Sequence, residues 1–281
     1  MIRKKKILIV GASGFVGNYL YNNLKKQRDL LVYGTYCKSH KKDLIKFDYT
    51  FAGDFEKIYK ISPEFIIWAA GEKDFKKTES DLSKTLTKNY YPFKTFLSNF
   101  HFSKNIKIVF ISTDYVFEGS KGGYAVSDKP VPKSNYGIYK SKCEKFLTDS
   151  VNNFSIIRAG SIIGTGSIFF NWLVNSIKKE SSLELFDNYF TPTPIVNVFN
   201  SIDDIINNKI NEKIIHVSGG LKINRYDLGL FIKKTINSNI TLIKKNFNES
   251  HLLFFKDLSL ISSYTSDKNI STKNYILKLL K

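Results

Sequence analysis

Cysteine is nearly absent from this chain: of 281 residues only Cys37 and Cys143 are cysteine, with no CxxC pair and no metal-ligand spacing. That excludes a disulfide scaffold and a thiolate metal site, and it fits a reducing, cytoplasmic compartment. No apolar run reaches the ~18 residues of a membrane-spanning helix. The nearest approach follows Lys4-Lys5-Lys6, where Ile7-Leu8-Ile9-Val10 is cut at once by Gly11, Ser13 and Gly14. A strand rather than a signal peptide is the expectation there. Internal repeats and low-complexity tracts are missing apart from the lysines, and so is any nucleic-acid-binding motif.

What is present is enough for a full core. A hydrophobic content of 42% excludes a disordered chain, and the length allows a large α/β domain with a smaller lobe. The formal net charge of +18 comes mostly from lysines scattered along the whole sequence. Lysine scattered in this way, alongside abundant Asn and Ile, reads as compositional drift more than a designed patch. It gives a modest benefit for attracting an anionic, phosphate-bearing substrate, with no nucleic acid and no membrane expected as partner.

Lys6 to Val10 has the pattern of a buried parallel strand. Gly11-Ala12-Ser13-Gly14-Phe15-Val16-Gly17 follows, and then Asn18 to Leu24 carries helical periodicity. Strand, glycine turn and helix is the context of a dinucleotide-phosphate loop: Gly11 for the sharp turn, Gly14 for close approach of backbone to pyrophosphate, Gly17 for helix–strand packing. Leu30 to Tyr36 makes a second strand, with no acidic residue after it until Asp43. An acid there would read a ribose 2′-hydroxyl. Lys38 and Ser39 suit a 2′-phosphate instead, which favours NADP(H) over NAD(H); the alternative is an ordinary basic loop.

Leu44 to Asp48 is a third short strand, with Asp48 placed for the adenine end. Asp54 to Ile61 is expected to be a helix, and Phe65 to Gly71 a fourth strand whose small residues Ala69, Ala70 and Gly71 let a cofactor lie against its end. A long helix is expected from about Lys77 to Phe100, carrying Asn89. Ile106 to Ile111 is a further buried strand, followed by Ser112-Thr113-Asp114-Tyr115-Val116-Phe117-Glu118-Gly119, and Phe154 to Arg158 is a sixth. Alternating strands and helices predict a Rossmann-type α/β fold, a doubly wound parallel sheet with ligands at the strands' carboxyl ends. The expected domains are 1–159, which binds NAD(P) and carries the catalytic residues, and 160–281, mainly a smaller substrate-binding lobe, with interleaved segments allowed. Shorter amphipathic helices at Ser201–Asn208 and Arg225–Asn237 belong to the second.

Ser134-Asn135-Tyr136-Gly137-Ile138-Tyr139-Lys140 offers a candidate acid/base device, a phenol beside an ammonium. At the start of a helix, Tyr136 and Lys140 lie one above the other. A free phenol titrates near ~10, and a fixed cation beside it favours the phenolate. Tyr139 is adjacent to Lys140 and is expected to point elsewhere, so spacing selects Tyr136. Taken alone, the pair also fits a solvated Tyr/Lys face.

Together these pieces are similar to the extended short-chain dehydrogenase/reductase superfamily, and within it to the dTDP-4-dehydrorhamnose reductase family. Gly11/Gly14/Gly17, the Ser112–Gly119 block and Tyr136-Gly137-Ile138-Tyr139-Lys140 carry the resemblance. Thr191-Pro192-Thr193 and His216-Val217-Ser218-Gly219-Gly220 extend it along most of the chain. It implies NAD(P)H-dependent reduction of a nucleotide-activated 4-keto-6-deoxysugar, in surface polysaccharide synthesis. Tyr136 is then the acid, Lys140 the ligand of the nicotinamide ribose and the cation that lowers the Tyr136 pKa, and Thr113 a hydrogen-bond donor to the substrate carbonyl. The cofactor set is completed by Asn89 and Ser112. Asp114, Tyr115, Val116, Thr191 and Thr193 are expected on the sugar side. A nucleotide-diphosphate sugar is the implied partner, and a homodimer is compatible.

Two substrate-side departures stand out. Family reductases commonly show Arg-Thr-Ser-Trp after the sixth strand, where this chain has Arg158-Ala159-Gly160-Ser161. They usually have glycine where Phe190 stands. Two other readings stay open: an epimerase or dehydratase of the superfamily, and a non-catalytic NADP-binding subunit like the regulatory beta subunit of methionine adenosyltransferase, which resembles the same family.

Overall fold

The computed structural model describes residues 3–72, 74–99, 106–248 and 255–281. The chain opens with β1 (Lys5–Val10), α1 (Phe15–Leu24), β2 (Leu30–Tyr36), β3 (Ile45–Lys46), α2 (Phe55–Tyr59) and β4 (Phe65–Trp68). Then come α3 (Phe75–Glu79), α4 (Leu82–Thr85), a π turn at Leu86–Tyr90, α5 (Tyr91–Asn99) and β5 (Lys107–Thr113). A 3-10 turn at Asp114–Val116 precedes α6 (Asn135–Ser150) and β6 (Phe154–Ala159). Further along are β7 (Ile162–Ile163), α7 (Ile168–Lys179), β8 (Ser182–Phe186), β9 (Tyr189–Phe190), β10 (Thr193–Pro194) and α8 (Ile195–Ile206). The last elements are β11 (Ile214–Val217), β12 (Ile223–Asn224), α9 (Arg225–Thr235), β13 (Thr241–Lys245) and α10 (Thr272–Leu280).

Seven strands form the main sheet in the order β11-β6-β5-β4-β1-β2-β3. The pairs β1–β2, β1–β4, β2–β3 and β4–β5 are parallel, and the chain winds outward both ways from β1. The continuous apolar runs of β1, β4 and β5 follow from burial on both faces. The Rossmann-type α/β expectation is met. The order reverses between β1 and β4, which places a topological switch point at their carboxyl ends, where Gly11 and Ala70 sit.

The chain divides into two compact units, neither contiguous in sequence. One holds the residues up to Ser112 with Asn135–Ile157 and Ile202–Ile214. The other holds Thr113–Ser134, Arg158–Ser201 and Ile215–Lys281, so 113–134 and 202–214 lie across a single cut at 159/160. The first unit's core is aromatic: Trp68 packs edge-on to Phe93 at 4.9 Å, and Phe96 meets Phe47 and Phe55 at 5.4 and 5.2 Å. Each such buried ring stabilises by about 1.5–3 kcal/mol. In the second unit β8–β13 and β7–β10 pair in parallel, β9–β12 antiparallel, and Phe117 stacks on Tyr124 at 4.3 Å.

The expected long helix from Lys77 is instead broken. Asp81 is extended (φ −162°), and its side chain accepts the Lys84 N–H to cap α4 afresh. A local Asp cap thus outweighs the helical periodicity, as short polar side chains do at helix starts. Its expected end, Phe100, lies outside the described residues. Among the described residues no helix is long and apolar enough to cross a membrane.

Candidate active site

Gly11 has φ +88°, and a Cβ there would lie 2.8 Å from the Ala70 nitrogen. A Cβ on Gly17 would lie 2.2 Å from the Gly11 carbonyl oxygen, so only glycine allows α1 to start this close to β1. Thr35 of β2 fixes the loop: its Oγ1 accepts the Gly11 N–H at 3.1 Å, and its carbonyl accepts the Ser13 N–H at 3.3 Å. Gly14 is the N-cap residue of α1, and no side chain caps that end. Exposed backbone amides at an uncapped helix N-terminus suit a pyrophosphate, so these residues fit a dinucleotide. Phe15 and Val16 are half-buried in the first turn of α1.

The start of α6 is held from outside the helix. Glu79 of α3 accepts the Asn135 N–H through Oε2 at 2.9 Å and the Tyr136 N–H through Oε1 at 3.0 Å. Asn135 Nδ2 returns bonds to the carbonyls of Thr78 and Glu79. Four residues on, Lys140 is buried, and its Nζ donates to the Ile111 carbonyl of β5 at 2.8 Å. Burial pushes the Lys140 ammonium down to about 8, against the smaller opposing influence of Cys143 and Glu144. Ser112, the residue directly after Lys140's acceptor Ile111, donates its hydroxyl to Glu144, so α6 is tied to β5 at two levels.

Around the Lys140 Nζ stand Phe110, Tyr139 and Tyr136, with ring centroids at 4.7, 5.5 and 6.0 Å. Tyr136 is half-buried, and the two tyrosines pack edge-on at 5.3 Å. Tyr139 therefore does not point away from Lys140 as adjacency suggested. It is buried and donates its hydroxyl to the Glu72 carbonyl at 3.2 Å. A helical residue next to Lys140 still turns its long ring back over the same ammonium. Burial raises the Tyr139 pKa well above its ordinary value, with Tyr136 the next cause. Tyr139 thus stays protonated and walls the site.

At the end of β4 the Ala69 N–H donates to the Val10 carbonyl, and Gly71 has φ +137°, with the Tyr139 hydroxyl 2.9 Å from where its Cβ would be. Asn89 is buried and accepts the Glu72 N–H at 2.8 Å, so its side chain shapes the segment after Gly71. Lys38 and Ser39 are exposed in the turn after β2. Asp48 accepts from the Thr50 hydroxyl and N–H at 2.6 and 2.9 Å, and the hydroxyl bond leads the causes that lower its pKa.

In the second unit, Thr113 donates its hydroxyl to Asp114 Oδ1 at 2.9 Å and accepts the Tyr115 N–H at 3.3 Å. Both Thr113 and Asp114 are buried. Burial pushes the Asp114 carboxyl up to about 7, against the Thr113 hydroxyl bond and the Arg225 charge, which lower it. The Tyr115 ring packs edge-on to Phe255 at 5.4 Å, and Val116 is part of a small apolar cluster with Phe117 and Tyr124. Thr191 and Thr193 are buried: Thr191 Oγ1 accepts the Leu260 N–H, and Thr193 donates to the carbonyls of Thr191 or Val217. Phe190 has a use that the sequence did not suggest. The Arg225 guanidinium lies against both Phe169 and Phe190, 4.7 and 5.1 Å from their centroids.

Glu79, Tyr139, Glu144 and Arg225 were missed as site residues. Glu79 reaches Asn135 and Tyr136 only through tertiary packing, and no local spacing reveals it. The Glu144 signal was available, since it lies one helical turn after Lys140.

The RmlD substrate binding domain family matches residues 5–250 of the chain. The probable low-salt glycan biosynthesis reductase Agl14 of Haloferax volcanii is 24% identical over 259 residues, which span 85% of this chain and 82% of that protein. Among solved structures, a hypothetical dTDP-4-dehydrorhamnose reductase from Sulfolobus tokodaii is 28% identical with a TM-score of 0.83, covering 96% of this chain and 98% of that one. The dTDP-4-dehydrorhamnose reductase from Bacillus anthracis in complex with NADP has a TM-score of 0.84 over 98% of each chain. At 21% identity that likeness speaks for the fold.

Proposed function

The chain belongs to the RmlD substrate binding domain family, and from that premise we propose that it is an NAD(P)H-dependent reductase of a nucleotide-activated 4-keto-6-deoxysugar. The observation that carries the proposal is the mounting of α6: Tyr136 held at its backbone by Glu79, and Lys140 buried beneath it on the Ile111 carbonyl. An ammonium kept in a dry position near a half-exposed phenol is costly unless it has work to do. The names of two similar proteins, a glycan biosynthesis reductase and a dTDP-4-dehydrorhamnose reductase, support the same chemistry.

The nicotinamide, when bound, supplies the hydride. Gly11, Ser13, Gly14, Phe15, Val16 and Gly17 hold its pyrophosphate, Ala69, Ala70 and Gly71 lie along it, and Asp48 takes the adenine end. Asn89 and Ser112 shape that side through their bonds to Glu72 and Glu144. Lys38 and Ser39 hold a 2′-phosphate, which makes NADPH the preferred donor; their exposure leaves them accessible to it. Tyr136 gives the proton to the carbonyl oxygen, Lys140 holds the nicotinamide ribose, and Thr113 donates a hydrogen bond to the same oxygen. Asp114, Tyr115, Val116, Thr191 and Thr193 shape the sugar side, in a protein of the cytoplasm that serves polysaccharide synthesis.

The test is NADPH oxidation followed at the nicotinamide absorbance with a panel of nucleotide 4-keto-6-deoxysugars. Turnover of at least one ketone is expected. Cofactor binding with no turnover of any would instead favour a regulatory subunit or an epimerase.

A further inference from the structure

A threonine hydroxyl has one hydrogen and two lone pairs. In Thr113 the hydrogen goes to Asp114 Oδ1 at 2.9 Å, and one lone pair takes the Tyr115 N–H at 3.3 Å. A hydroxyl in that state can only accept one more bond. A ketone oxygen has no hydrogen to offer, so Thr113 bonded in this way cannot polarise a substrate carbonyl.

The surroundings of Asp114 permit a change of state. No side chain intrudes at Gly160, where a Cβ would lie 3.1 Å from Asp114 Oδ2 and 2.4 Å from the Thr191 carbonyl oxygen. The charged group that faces Asp114 is Arg225 of α9, which favours the carboxylate; the titratable neighbour is Tyr115, one residue on, which interacts with Arg225 as well. Burial outweighs them and pushes the carboxyl up to about 7, so both forms are populated near neutral pH.

We infer that protonated Asp114 is the form that arms Thr113: the Asp114 O–H donates to Thr113 Oγ1, and the Thr113 hydrogen is released for the substrate carbonyl oxygen. This rests on the ketoreductase reading above. All three bonding positions of the hydroxyl are then used, two accepting from Tyr115 N–H and Asp114 O–H and one donating to the ketone. The proton on Asp114 stays on Asp114 through the reaction, and the proton delivered to the carbonyl oxygen comes from Tyr136. With Asp114 ionised, Thr113 accepts, which suits the O–H of the alcohol product. On the carbonyl oxygen Asp114 thereby acts through Thr113, as a positioning residue.

The test compares kcat/KM against pH for wild type, Asp114→Asn and Thr113→Val, with a nucleotide 4-keto-6-deoxysugar and NADPH. Wild type is expected to lose activity about tenfold per pH unit above about pH 7. An asparagine amide donates permanently to Thr113 Oγ1, so in Asp114→Asn the fall in kcat/KM above about pH 7 disappears, whatever the level of its plateau. Thr113→Val is slow and lacks the limb. A limb unchanged in Asp114→Asn overturns the inference. An activity-independent measurement covers failure of the ketoreductase reading or misfolding of the variants. The infrared difference spectrum of the wild-type protein, with 13C-labelled aspartate, between about pH 6 and about pH 8 must show a buried carboxylic acid that ionises across that range. If every aspartate is already ionised at the lower pH, Asp114 cannot arm Thr113.

Discussion

Glu79 on α3 accepts the backbone N–H of Tyr136 on α6 at 3.0 Å, and with its other oxygen that of Asn135 at 2.9 Å. A carboxylate at a helix N-terminus meets unsatisfied amides and the positive end of the helix dipole, which together stabilise by about 1–3 kcal/mol. Glu79→Ala is therefore expected to lower unfolding stability by that amount and to depress kcat, because the helix turn that carries Tyr136 frays. Glu79→Gln keeps one acceptor and recovers most of both. Urea unfolding alongside kinetics checks this; an Ala variant with wild-type stability and rate would contradict it.

The glycine loop gives a steric prediction. In Gly17→Ala the new methyl would sit 2.2 Å from the Gly11 carbonyl oxygen, which is backbone and cannot swing aside. Overpacking of this kind costs about 1–3 kcal/mol or more, and it also displaces the amides that face the pyrophosphate. Loss of NADPH binding together with a lower Tm is expected by fluorescence titration and calorimetry.

Cofactor preference turns on an exposed side chain. Lys38→Ala should weaken NADPH binding about tenfold or more and leave NADH almost unchanged, as the loss of one charge-assisted phosphate contact does. Equal weakening of both would remove the basis for an NADP preference.

His216 predicts an acid-sensitive part of the stability. Its Nδ1 lies 3.1 Å from the Tyr124 carbonyl, and its Nε2 faces Arg158 at 3.4 Å, an arrangement that suits a neutral ring donating from Nδ1. Burial first, and the Arg158 charge second, push its pKa down to about 4. The unfolded ring titrates near ~6.5, so this contribution is complete above that pH and is lost as pH falls through about 4. A shift of this size is worth about 3 kcal/mol. Asp114, raised to about 7, acts in the opposite sense across much of the same range, so the wild-type curve alone would hide the effect. The clean quantity is the stability gap between wild type and His216→Gln, which should narrow as pH falls from about 6.5 to about 4. A gap independent of pH would contradict it.

Much of the first unit was legible because its signals are local. The run Ile7-Leu8-Ile9-Val10 is apolar because β1 is buried on both faces, and the glycines after it are spaced by the turn they make. Tyr136 and Lys140 declare themselves by one helical turn. Contacts made across the fold left no such trace. Nothing near Asn135 announces that its cap is Glu79, and nothing near Phe190 announces the Arg225 guanidinium that it covers. The helix expected from Lys77 failed for the converse reason, since the local cap at Asp81 interrupts a periodicity that looked continuous.

The central claim is that Tyr136 protonates a sugar ketone on a helix whose other features serve to hold it. Its most direct measurement pairs single-turnover NADPH oxidation with NADPH affinity in Tyr136→Phe. The account predicts a rate about 10²–10⁴-fold lower with cofactor affinity within about threefold of wild type. A variant that turns over at the wild-type rate would contradict it.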